Sequence, residues 1–194
     1  MDIQGILNET LSGETIRRMS ETIGADETTT SNAAQHAVPM LLGALAHNGS
    51  TPDGASSLLS ALDRDHDGSV LDDVAGFLAD YGSGGGQGIL GHLFGQRLGA
   101  VQEHVGQTSG LDAGKVGQLL VMLAPLVMGA VGRTRQQQGL DEGSLSGFLG
   151  AASQQMGGST SVTGILSQLL DRDHDGSAVD DVLRFAGNLF GDRK

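Results

Sequence analysis

Two short acidic stretches of this chain have the residue types and spacing that could do chemistry. Residues 63–74 read Asp-Arg-Asp-His-Asp-Gly-Ser-Val-Leu-Asp-Asp-Val. Residues 171–182 repeat the pattern with Ala-Val in place of Val-Leu. In each stretch, carboxylates at positions 1, 3 and 5 put three side-chain oxygens around one point. They are Asp63, Asp65 and Asp67 in the first, and Asp171, Asp173 and Asp175 in the second. Gly68 and Gly176 follow at position 6, where a sharp turn brings the carbonyl of Ser69 or Ser177 in as a further ligand. Hard cations take about six to eight oxygens, so the expected ligand is Ca²⁺, one per loop and two per chain, with Mg²⁺ as a competitor.

The pattern resembles the EF-hand loop, which closes with a bidentate Glu at position 12. Val74 and Val182 stand there and cannot ligate. The closing acid must come from positions 10 and 11, as Asp72 or Asp73 in the first loop and Asp180 or Asp181 in the second. Similar shortened loops closed at position 10 occur in other bacterial calcium-binding proteins, a resemblance that favours Asp72 and Asp180. Against it, Ser69-x-x-Asp72 and Ser177-x-x-Asp180 resemble a capping box for the next helix, which leaves closure to Asp73 and Asp181. The sequence leaves both assignments open. A purely structural role in turns and caps is the alternative. Two copies between apolar helical segments, each a cluster of mutually repelling carboxylates, favour a cation.

Charge points the same way. The net charge is −12, which argues against nucleic acid and against anionic membrane surfaces. Ten carboxylates of the two loops have only Arg64 and Arg172 as local counter-ions. There is no cysteine, and no nucleophile elbow, HExxH or phosphate-loop motif, so the chain reads as non-enzymatic. His66 and His174, at position 4 of the loops, are expected to face solvent. His36, His47, His92 and His104 lack ligand spacing, and the six Met read as core filler. Met1-Asp2-Ile3-Gln4 does not look like a secretory signal, which suggests a cytoplasmic location with unconventional export left open. The longest apolar run, residues 119–131, contains Pro125 and falls short of the ~20 residues of a membrane span, so it reads as a buried core helix.

The elements that position the loops are expected to be helices. Leu90, Phe94, Leu98, Val101 and Val105 step by four or three, as one helix face does, and no stretch alternates as a strand would. The sequence also repeats. Eighty-six residues apart, Ile3 matches Ile89, Gly24 matches Gly110, Asp26 matches Asp112, Pro39 matches Pro125 and Gly43 matches Gly129. The expectation is an all-α, duplicated helical array. Residues 1–81 form one repeat with calcium loop 63–73, and residues 89–194 the other with calcium loop 171–181. Each repeat ends in helix, loop, helix. Residues 82–88, Gly-Ser-Gly-Gly-Gly-Gln-Gly, are the expected linker. Buried helices are expected over residues 30–46 and 113–131, with a kink or break at Pro39 and Pro125.

Taken together, these residues resemble a bacterial family of unknown function, number 937 in the domain-of-unknown-function series. The resemblance lies in Ala37-Val38-Pro39-Met40-Leu41-Leu42-Gly43-Ala44-Leu45, Gly88-Ile89-Leu90-Gly91-His92-Leu93-Phe94-Gly95, Gly110-Leu111-Asp112, Leu123-Ala124-Pro125-Leu126-Val127-Met128-Gly129 and the Asp171 loop. It implies an all-helical soluble bacterial protein, with no catalytic residues to carry over. The leading expectation is a helical protein whose ions stabilise a structural or self-associating scaffold, with a homo-oligomer or a protein as partner. The alternative is a calcium sensor or buffer that exposes an apolar face to a protein partner.

Overall fold

Helical spacing of apolar residues and a supply of short polar caps account for the elements. The computed structural model describes residues 2–80 and 85–157. Among them are nine α-helices and no strand. They are α1 (Ile3–Thr10), α2 (Gly13–Ile23), α3 (Glu27–Asn48), α4 (Pro52–Asp65), α5 (Val74–Ala79), α6 (Gly86–Phe94), α7 (Leu98–Ser109), α8 (Ala113–Gln138) and α9 (Glu142–Gly157). Asp2, Asp26, Thr51 and Asp112 each accept a backbone N–H in the first turn of the helix they precede. Such a cap is worth about 1 kcal/mol. Gly24 and Gly110 end α2 and α7 in the left-handed conformation, at φ 64° and φ 80°. Asp26 and Asp112 then open the two longest helices, so this pair of matched positions meets the same local task in α3 and α8.

α3 and α8 form the centre. Leu41, Leu42, Leu119, Leu120, Leu123 and Leu126 are fully buried, in one apolar cluster drawn from α1 to α9. α9 lies along α3, and its Ser153 hydroxyl donates to the Pro39 carbonyl at 2.9 Å in a buried hydrogen bond. α6 and α7 pack on both central helices, α1 packs on α8, and α4 packs on α8 and α9. α8 is long and apolar enough to cross a membrane by composition, but 72% of its most apolar window is buried within the protein. It is a core helix, as expected from its sequence.

Two local expectations change and one narrows. Of the kink or break expected at the prolines, the break does not occur: α3 runs through Pro39 and α8 through Pro125. The apolar face from Leu90 to Val105 is not one helix. α6 ends at Phe94, a 3₁₀ turn covers Gly95–Arg97 with Gly95 at φ 52°, and α7 starts at Leu98. Finally, α6 begins at Gly86, inside the stretch read as linker. Pro125 deprives the Val121 carbonyl of its helical donor, and buried Gly86 packs its backbone against that oxygen, where a Cβ would collide.

Candidate functional site

The first acidic loop joins α4 to α5. Thr51 and Pro52 start α4 as cap and first helical residue, and the helix carries Asp63, Arg64 and Asp65 in its final turn. His66 ends it at φ −139°. The Asp67 carboxylate then accepts the Ser69 N–H at 2.9 Å, folding the chain back on itself. Gly68 adopts φ 100°, a conformation that favours glycine, and leads into a 3₁₀ turn, Ser69–Leu71. Asp73 caps α5, accepting the Gly76 N–H at 2.8 Å.

The loop is docked on the C-terminal half of α8. Gly129 and Gly132 let the two backbones approach: a Cβ on Gly132 would run into the His66 carbonyl, and one on Gly129 into Val70. Around that contact α8 provides donors. A single guanidinium nitrogen of Arg133 donates to Asp72 Oδ1 at 2.5 Å and to the Gly68 carbonyl at 2.7 Å. Arg135 pairs with Asp63 and also donates to the Leu140 carbonyl at 3.3 Å. Gln136 donates to the Asp67 carbonyl at 3.2 Å.

Every carboxylate of the loop therefore has a protein partner. Asp63 has Arg135, Asp65 has Arg64 at 3.1 Å, Asp67 has the Ser69 amide, Asp72 has Arg133, and Asp73 has the Gly76 amide. The Ser69 hydrogen bonds, the backbone one first, hold the Asp67 carboxyl below the usual range, with Arg133 a smaller contribution. His66 is half-buried rather than directed to solvent, at the point where its backbone meets Gly132. That burial lowers its pKa, opposed in part by Asp65.

A divalent cation can be tested against this arrangement. The donors are of the right kind, carboxylate and carbonyl oxygens alone. Their directions differ: among the described residues no three acids or histidines converge on one point. Asp63 and Asp72, at positions 1 and 10, are paired with the α8 arginines, whereas Asp65, Asp67 and Asp73 are bonded within the loop and its flanking helices. The second loop, with Asp171, Asp173, Asp175, Ser177, Asp180 and Asp181, lies outside the described residues.

Arg133, Arg135 and Gln136 were not found from sequence. They stand more than sixty residues from the loop residues they bond, and only one feature pointed to them. In a chain with 11 Lys and Arg, two arginines lie two residues apart beyond the most apolar helical segment.

The family model for the bacterial proteins of unknown function DUF937 matches residues 5–134. The chain belongs to this family. The DUF937 match runs from α1 almost to the end of α8, so it includes the first acidic loop and Arg133 and stops short of the second loop. No curated protein and no solved structure matches the chain.

Proposed function

We propose that this DUF937 protein is a non-enzymatic helical scaffold whose DxDxDG loops take up Ca²⁺, the ion in the first loop holding α4 and α5 to the core. The observation that carries the reading is the exposed loop at the end of α4, with an oxygen-only donor set and Gly68 at the position where a calcium loop must turn. Two electrostatic features support it. The carbonyl end of α4 carries the negative pole of the helix, and Asp63 and Asp65 sit in that last turn, where acids are disfavoured unless a cation is near. The five loop carboxylates are met by Arg64, Arg133 and Arg135, leaving a net −2, the charge that one divalent cation cancels.

Closure by Asp72 is favoured over closure by Asp73, whose carboxylate is committed to capping α5. The experiment is calorimetric titration of the metal-stripped chain with CaCl₂, with MgCl₂ and with ZnCl₂. The expected result is about two Ca²⁺ per chain, with Mg²⁺ weaker because it demands a tighter octahedral shell. No uptake, or a preference for Zn²⁺, would overturn the reading.

A further inference from the structure

We infer that the face each half of the chain turns to the other is an exchangeable binding surface, and that its other occupant is a second copy of this chain. The inference goes beyond the calcium reading and does not depend on it. The halves, α1–α5 and α6–α9, cover one another. α1 and α4 pack on α8 and α9, and the Ser69–Leu71 turn packs on α8. In return α6, α7 and α9 pack on α3. Hydrogen bonds cross the same face. Ser153 Oγ donates to the Pro39 carbonyl at 2.9 Å, Asn48 Nδ2 to the Leu93 carbonyl at 3.3 Å, and Lys115 Nζ to the Gly24 carbonyl at 2.5 Å. Parted, the halves would lose cover over Leu41 and Leu42 on one side and Leu119, Leu120 and Leu123 on the other. That much apolar surface must be covered again, by the same chain or by another.

The chain passes between the halves at residues 81–85. Before that connection α5 rests on α2, and after it α6 rests on α8, each in its own half. Opening the connection therefore leaves an anchor for both flanking helices. Residues 82–86 are Gly-Ser-Gly-Gly-Gly, and Gly85 turns at φ 63°. Glycine takes φ of either sign, so this hinge can straighten at little steric cost. Two open copies then offer each other the faces that one closed chain offers itself, and every contact between halves is remade one for one. Closed and exchanged forms share their contacts. Their balance is set by the effective concentration of one half about the other, which is millimolar for a short flexible link.

The test uses the full chain in metal-free buffer. It is refolded from denaturant at about 1 mM and at about 1 μM, at and far below that effective concentration, and sized by light scattering. The expected result is a dimer at the higher concentration alone, with the helical signal of the monomer. Because the halves must part before it can come apart, this dimer should persist on simple dilution and return to monomer only after unfolding and dilute refolding. No dimer, or one that dissociates as soon as it is diluted, would overturn the exchange. A second variant replaces residues 81–85 by Glu-Ala-Ala-Ala-Lys, a helical spacer that cannot turn back. It should be dimeric at both concentrations, and a folded monomer would overturn the inference. If that variant does not fold, the dilution of the unaltered chain decides.

Discussion

Asp72 and Asp73 are adjacent, equally acidic and differently employed. Asp73 accepts an amide from the first turn of α5, and Asp72 accepts a guanidinium from α8. Asp73→Ala should therefore lose a helix cap, about 1 kcal/mol of stability, and retain most Ca²⁺ affinity. Asp72→Ala should remove most of the affinity of the first loop, and Asp67→Ala should abolish that site while the second equivalent remains. Calorimetry on the three variants checks this; normal binding by Asp72→Ala with loss in Asp73→Ala would reverse the assignment. His66 supplies a separate handle. Its folded pKa lies below the unfolded value, so protonation favours the unfolded chain, and stability is lost as pH falls through the ordinary histidine range of about 6.5. Asp67, Glu14, Asp26 and Asp141 are lowered too, but as carboxylates they lose their contribution only at more acidic pH. Between pH 7 and 5.5 the melting temperature should fall, and His66→Gln should flatten that slope. An unchanged slope in the variant would show that burial of His66 does not govern it.

Between elements, the contact of the loop with α8 depends on glycines rather than on large apolar side chains. Gly to Ala in a helix ordinarily gains about 1 kcal/mol. At Gly132 the added Cβ meets the backbone carbonyl of His66, which cannot rotate aside as a side chain can. The collision should win, at about 1–3 kcal/mol net cost, and undock the loop. Gly147→Ala in α9 is the control: nothing lies near its Cβ position, so it should gain the full helical preference. Thermal denaturation should move the two variants in opposite directions, and a stabilised Gly132→Ala would mean that the loop is not seated on α8.

The same contact shows where sequence stops being readable. The apolar content of α3 and α8 announced two buried helices. Asp26, Asp112, Gly24 and Gly110 stood out only as matched positions of the repeat, and the caps and turns they make were not read from them. The split at Gly95 was missed because Phe94 and Leu98 remain four apart and still face inward across the turn. Gly86 looked like linker because its role is set by a carbonyl thirty-five residues away. Arg133 and Arg135 were missed for the same reason: their spacing beyond the apolar segment is visible, but the pairs they make join distant segments, and no local pattern encodes those.

At the scale of the whole molecule, the two central helices are covered by elements from both ends of the described chain. α9 lies on α3, while α1 packs on α8, and the apolar cluster is shared by all. The first loop is tied to the same α8 that carries the fully buried Leu119, Leu120, Leu123 and Leu126. An ion at the loop therefore acts on a contact that is continuous with the core, and its effect should appear in global unfolding rather than in the loop alone. A ligand that binds only the folded state adds about 2.7 kcal/mol at a hundredfold excess over its Kd. For a chain of this size that corresponds to a rise of roughly 5–10 °C in melting temperature per site. Circular dichroism at 222 nm, which follows helix throughout the chain, should show the whole transition moving upward with saturating Ca²⁺ and back with chelator. Binding of an apolar dye to the native protein should fall on Ca²⁺ addition if the ion tightens the scaffold. A rise in dye binding would favour the sensor role instead. An identical melting curve at Ca²⁺ levels shown by calorimetry to fill the sites would separate binding from stability altogether. The arginines of α8 would then be sufficient to hold the loop, and the ion would have no structural part in the fold.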